Sequence, residues 1–244
     1  VKIAIDAGHG PETPGKRTPD GSLREYHFNA PTARYVADEL LHEYEGVEIL
    51  LTFDDSRDVP LKERTDRANA WGADVFVSIH ANAYGAGGWN DAKGIETFVY
   101  KTRPAAALKL AEAVHRNLIL ATGRPDRGVK TADFHVLRET KMPAILVECG
   151  FMTNREEAEL LKSDAYRRKC AAAIVAGIVE VCGLRKKPAE AVSAPGSAAP
   201  ADDVSPWARE ARDWAVSRGI TDGTRPKDAV TREELWTMLW RTLK

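Results

Sequence analysis

Val1-Lys-Ile-Ala-Ile-Asp-Ala-Gly-His-Gly10 and Val75-Phe-Val-Ser-Ile-His-Ala-Asn82 follow one plan, a short strand-forming run that leads into a histidine. Each places one histidine, His9 or His80, just past a short β-branched run. A strand that stops on a histidine presents its imidazole at the sheet rim, where α/β proteins build their sites. Outward from these two stretches, helical and strand patterns alternate. Ala33, Val36, Ala37, Leu40 and Leu41 share one face of a helix over 29–44. Val47–Phe53 reads as the second strand. Pro60 opens a helix at its permitted first turn, and the helix runs to Trp71 and ends at Gly72. Val75–His80 is the third strand and Gly94–Tyr100 the next, with Ile95, Thr97 and Val99 alternating against Glu96, Phe98 and Tyr100. Pro104–Ala121 is a long helix stopped by Gly123. Ala144–Val147 is wholly apolar, which puts it in the centre of a sheet. Thr153-Asn-Arg-Glu156 carries the capping-box pattern of a helix start, and a last helix spans 164–182 before Gly183. This alternation predicts an α/β layered domain.

That domain ends near Leu184, giving residues 1–184. Residues 185–205 lack any apolar period and are rich in alanine, proline and serine, so they read as a linker. A second unit, 206–244, starts a helix at Pro206 with Trp207, Ala211, Trp214 and Ala215 along one face. Turn chemistry follows at Gly219–Pro226. A capping box at Thr231-Arg-Glu-Glu234 then leads into Leu235, Trp236, Met238, Leu239 and Trp240. Four of the six tryptophans lie there, and they read as its core. A helical pair of about 40 residues is marginal alone. It calls for a partner: the first domain, a second copy, or a ligand surface.

The bulk numbers exclude several classes. With 35 basic and 36 acidic side chains the net charge is −1, so there is no electrostatic footprint for nucleic acid. The apolar fraction of 43% and charged fraction of 29% are those of a soluble globular protein. No apolar run is long enough to span a bilayer: the longest, Cys170–Cys182, is interrupted by Gly177 and Glu180. On one helix Cys170 and Cys182 lie about 18 Å apart, too far for a disulfide. The thiols therefore read as free, which fits synthesis in a reducing compartment. No secretory signal precedes the first strand.

Four positions converge on one rim: His9 after strand one, Glu25 in the loop before the first helix, His80 at the end of strand three, and Glu148 after Ala-Ile-Leu-Val. If those strands are parallel, these side chains face one crevice. A catalytic zinc site uses three protein ligands plus water, and a further carboxylate must take the water's proton. An unpaired glutamate after four apolar residues is costly unless it has work to do. Competing readings stay open at this stage. Glu25 is also readable as a solvated loop charge, and His27 competes with it as a ligand. His42 reads as solvated and His115 as packed or solvent-facing. His135 fits a supporting, a substrate-contacting or a purely structural role. Cys149 is a nucleophile only if strand alternation fails to turn it away from Glu148.

Taken together, Ile5-Asp-Ala-Gly-His-Gly10, Glu25, Leu61-Lys-Glu-Arg-Thr-Asp-Arg-Ala-Asn69, Ser78-Ile-His-Ala-Asn82 and Val147-Glu-Cys-Gly-Phe-Met-Thr-Asn154 occur in an order that resembles the zinc-dependent N-acetylmuramoyl-L-alanine amidases of the Amidase_3 type. The resemblance covers about residues 1–183. It implies a mixed, mostly parallel sheet flanked by helices and one zinc ion (Zn2+) held by His9, Glu25 and His80, with Glu148 as the catalytic glutamate. It also implies cleavage of the amide between N-acetylmuramic acid and the L-alanine of the stem peptide. Arg64 and Asn69 match a block expected to support the loop near the metal. Tyr84 and Trp89 are candidates to line a groove for saccharide or peptide. The tail resembles a single S-layer-homology-like module, which implies binding of a secondary cell-wall polymer or self-association into a homo-oligomer. The partner is then peptidoglycan. The expected location is host cytoplasm and then cell wall for a phage endolysin, or secretion to the wall for a bacterial autolysin, the missing leader favouring the former. The alternatives are a non-catalytic wall-binding scaffold and a zinc hydrolase of another amide.

Overall fold

The computed structural model describes residues 1–188 and 209–218. The chain divides into two units, Val1–Lys187 and Pro188–Lys244. The first unit carries six strands, β1 (Lys2–Ala7), β2 (Glu48–Leu51), β3 (Val75–Asn82), β4 (Ile95–Tyr100), β5 (Asp126–Ala132) and β6 (Ala144–Phe151). Its helices are α1 (Tyr26–Glu43), α2 (Leu61–Trp71), α3 (Ala105–Thr122), α4 (His135–Arg138), α5 (Arg155–Lys162) and α6 (Asp164–Cys182). They form one sheet in the order β2-β1-β3-β6-β4-β5. β2, β1, β3 and β6 are parallel to one another, β4 runs antiparallel to β6, and β5 is parallel to β4. The sheet is therefore mixed and mostly parallel, with the apolar β6 in its interior as expected. Among the described residues no helix is long and apolar enough to cross a membrane.

Strand alternation sends two sets of side chains to opposite faces. Ile3, Ile5, Val77, Ile79, Ile145, Val147 and Cys149 face the larger core, closed by Phe28, Val36 and Leu40 of α1, Leu110, Val114 and Leu118 of α3, and Cys170, Ile174 and Ile178 of α6. Ala4, Phe76 and Leu146 face a smaller core with Ala68 of α2 and Val136 and Leu137 of α4. The thin cover on this second face leaves room for a site. Gly177 shows how closely the first face is packed. A Cβ built there would lie 2.6 Å from the Val114 backbone Cα, so α3 would have to move. Gly177→Ala gains up to about 1 kcal/mol of helix propensity, but overpacking costs about 1–3 kcal/mol. Urea unfolding should show a net loss of stability.

Several boundaries differ from the sequence reading. Helix α1 starts at Tyr26 rather than 29, because its first turn buries the polar Glu25 and Asn29 and so lacks an apolar period. Glu25 is accordingly the helix cap, 3% exposed, and not a solvated loop charge. Strand β5, Asp-Arg-Gly-Val-Lys-Thr-Ala, was not legible: as an edge strand it needs no buried alternation. Helix α5 is capped one residue later than read, by Asn154, whose side chain accepts from the Glu157 N–H at 3.1 Å. Glu157 does not return to the cap. Its carboxylate accepts from the backbone of Gly94 at 2.9 Å and Phe151 at 2.7 Å, fastening β4 to the end of β6. Cys149, Cys170 and Cys182 are free thiols.

In the second unit the described element is α7 (Arg209–Ser217), with Trp214 half exposed. Most of the expected linker, the turn at 219–226 and the helix after 231 lie outside the described residues.

Candidate active site

The connection from β1 leads through α1 to β2 on one side, and β3 lies on the other, so the sheet has its switch point between β1 and β3. Ligands of α/β sheets bind at such a crevice. His9 stands just beyond β1 and His80 near the end of β3. Glu148 is not at a strand end, as the sequence reading had it, but inside β6, because pairing with β3 carries the ladder on to Phe151, opposite Asn82. It lies in register with His80, just before a bulge that shifts Asn82 opposite Phe151.

The Glu25 carboxylate bridges the two imidazoles. Its Oε2 is 3.1 Å from His9 Nε2 and its Oε1 is 2.9 Å from His80 Nδ1. The rings meet edge to face with centroids 5.1 Å apart. One ligand-type atom from each of the three residues lies within 4.8 Å of the others. Asn29 and the backbone of Ala81 donate to Glu25 Oε1, both at 3.2 Å. Burial raises the Glu25 pKa, but the hydrogen bonds and charge of His80 and His9 outweigh it and hold the carboxyl well below its ordinary range. Burial pulls His80 down, and the hydrogen bond and charge of Glu25 bring it above its ordinary value.

Glu148 differs. Its Oε2 is buried with no hydrogen-bond partner. Burial pushes its carboxyl up to about 8, against the lowering charge of His80 and with help from Glu25 and Glu96. It lines the same cavity of about 920 Å³ as His9, Glu25 and His80. The walls include Lys16, Arg17, Asp58, Asn82, Phe134 and His135.

The loop carrying His9 is fixed from behind. Arg64, 2% exposed, donates to Asp6 Oδ1 at 2.8 Å, to the carbonyls of Ala7 and His9, and to Val59 O at 2.9 Å. Asp6 also accepts from Thr52 and Ser78, both at 2.7 Å, so one carboxylate ties β1 to β3 and to the end of β2. His9 has φ of 64°, a left-handed conformation that histidine tolerates better than most residues. Gly8 must lack a side chain, since its Cβ would lie 2.0–2.4 Å from atoms of the His80 ring.

The residues 3–180 match the family described as N-acetylmuramoyl-L-alanine amidase. The chain belongs to that family. N-acetylmuramoyl-L-alanine amidase CwlM of Bacillus licheniformis is 39% identical over 189 residues, covering 78% of this chain and 72% of the relative. The endolysin of Bacillus phage SPP1 is 36% identical over 191 residues, covering 76% and 67%. The catalytic domain of CwlV, an amidase from Bacillus (Paenibacillus) polymyxa var. colistinus, superposes with a TM-score of 0.70 at 34% identity, covering 75% of this chain and 99% of that one.

Within this amidase unit the remaining candidates separate clearly. His27 and His42 are exposed and away from the cluster. His115 is buried between Thr97 Oγ1 at 3.0 Å and Asp126 Oδ1 at 2.7 Å. His135 lines the cavity, its Nε2 3.3 Å from Thr65 Oγ1. Cys149 faces the larger core, opposite to Glu148. Arg64 supports the loop as expected. Asn69 does not: it bonds Glu139 O at 2.8 Å and Lys141 N at 2.9 Å, pinning the approach to β6. Tyr84 and Trp89 are not among the cavity's lining residues, and Trp89 stacks with Arg155 at 4.5 Å. The sequence reading missed Asp6, Asn29 and Glu96. A buried-register aspartate inside a β-branched run was the one available signal, for Asp6.

Proposed function

We propose that this chain is a peptidoglycan hydrolase that cuts the amide between N-acetylmuramic acid and the L-alanine of the stem peptide, with one zinc ion held by His9, Glu25 and His80. The observation that carries the reading is the convergence of those three donors beside a carboxylate oxygen with no protein partner, in an amidase-family fold. Two imidazoles and a carboxylate are a catalytic zinc set, and the crowding of Glu25 against both rings suits groups waiting to share a cation. The chemistry such an ion supplies is Lewis acidity, which polarises a carbonyl and makes water more acidic.

The chain's own residues do the rest. Glu25 orients both imidazoles, and Asn29 orients Glu25. Glu148 Oε2 accepts a proton from the attacking water and delivers it to the amine nitrogen of the departing L-alanine as the C–N bond breaks. To accept that proton Glu148 must be ionised, and a cation held by His9, Glu25 and His80 would favour its charged form. Arg64 keeps the His9 loop from shifting during the reaction. The substrate places this activity at the bacterial wall, as an endolysin or an autolysin. The same reading takes 1–184 as catalytic, 185–205 as linker and 206–244 as the element that holds a wall polymer or a second copy.

Purified walls should release fragments with new L-alanine amino termini, detected by mass spectrometry. A chelator should stop the release and added zinc restore it. Cleavage elsewhere in the stem would instead favour a hydrolase of another amide, and no cleavage a scaffold.

A further inference from the structure

Next to the reacting carboxylate lies a cluster that the proposed chemistry does not use. Glu96 of β4 is in register with Glu148 of β6, so both side chains stand on the thinly covered face of the sheet. Asn82, which lines the cavity, donates to Glu96 Oε2 at 2.9 Å. Glu96 Oε1 accepts from both Arg127 Nε and Lys130 Nζ, each at 2.6 Å. Two cations thus share one oxygen of a buried carboxylate. Their own side chains are 35% and 40% exposed. A guanidinium has five N–H donors and an ammonium three. Among the described residues these single bonds to Glu96 are the hydrogen bonds that the Arg127 and Lys130 side chains make. The remaining donors have no hydrogen-bond partner among the described residues. Arg127 is further held over the Phe151 ring at 4.9 Å, which fixes its plane. The cluster is a ledge of net charge +1 with spare donors, joined to the cavity that Glu148 lines through Asn82.

Strands in a sheet are about 4.8 Å apart, so β5, two strands from β6, puts the backbone of both cations about 10 Å from that of Glu148. An extended peptide covers about 3.3–3.6 Å per residue. We propose that Arg127 and Lys130 are specificity-determining residues that receive a carboxylate of the stem peptide two to three residues from the amide that is cut. The inference rests on the amidase reading and deepens it. It assigns the peptide side of the substrate to the β4–β5 edge, with Glu96 as the positioning residue that aims both cations. A wall peptide can carry its second residue as a free acid or as an amide, and the ledge distinguishes them: a carboxylate accepts from the two cations through bonds charged on both sides, stronger than those to a neutral amide oxygen.

The test compares zinc-loaded full-length protein on two synthetic muramoyl tripeptides that differ only in isoglutamate or isoglutamine at the second position. The free acid should be preferred by about tenfold in kcat/KM, through KM, as a hydrogen bond to a charged group implies. Lys130→Met and Arg127→Gln should bring the ratio toward one. Lys130→Arg should keep it, which a merely structural salt bridge would not require. Equal rates for the two peptides with wild type, or an unchanged ratio in both variants, would overturn the assignment. If purified walls are opened but neither tripeptide is cut, the carboxylate assignment alone fails. If walls are not opened either, the amidase reading fails and takes the assignment with it.

Discussion

Glu148→Gln should lower the rate of L-alanine release by about 10²–10⁴-fold, the range for losing a positioned general base. The substitution keeps the side chain's size and removes its ability to take a proton. It should not unfold the protein. Glu148 Oε2 has no hydrogen-bond partner to lose, and a neutral amide is cheaper to bury than a charged carboxylate. Zinc content, measured by atomic absorption, should stay at one per chain, since His9, Glu25 and His80 are untouched. This pairing of lost turnover with retained metal separates a proton carrier from a ligand. Full turnover in the variant would remove Glu148 from the mechanism.

Arg64→Met should have the largest effect on stability. The variant leaves Asp6, 1% exposed, as a buried carboxylate without its cation. Breaking a buried pair in this way costs about 3–5 kcal/mol, a large share of a typical domain's total. Urea unfolding gives the loss directly. Zinc affinity should fall too, because the Ala7 and His9 carbonyls lose their donors. The pH dependence has a defined sign. Burial raises the Asp6 pKa, but the charge of Arg64 and hydrogen bonds from Ser78, Thr52 and Arg64 bring it below the ordinary value. A depressed folded-state pKa adds stability that is full above the unfolded carboxylate pKa of about 4 and is lost as pH falls through the folded value. In Arg64→Met burial acts without the guanidinium, and Asp6 shifts upward. The gap between variant and wild type should therefore begin to narrow as pH falls through the variant's raised Asp6 value, above the ordinary carboxylate range, and keep narrowing until the wild-type Asp6 is protonated as well.

The sequence made some features legible and hid others, for physical reasons. His9 and His80 follow β-branched runs, and the period-two pattern of β1 and β3 placed them at one rim. Glu148 stood out because a carboxylate after four apolar residues has no bland explanation. Glu25 was readable as a residue but not as a helix cap, because the first turn of α1 spends its inward face on polar groups serving the site. Strand β5 was hidden by its edge position. Its Arg127 and Lys130, ordinary surface charges in the sequence, acquire meaning only through contact with Glu96 across the neighbouring strand. Asp6 and Arg64 are 58 positions apart, and no local pattern announces that they pair.

Arg64 holds the loop by the main-chain oxygens of Ala7 and His9, not by their side chains. Where the loop stands and which donor it offers are thereby separate properties. Aspartate shares histidine's tolerance of a left-handed backbone, so His9→Asp would leave the loop where it is while its shorter side chain stops short of the place where His9 Nε2 meets Glu25. The scaffold is in this sense a socket: the main chain sets where position 9 stands, and the reach and kind of its side chain remain free to vary.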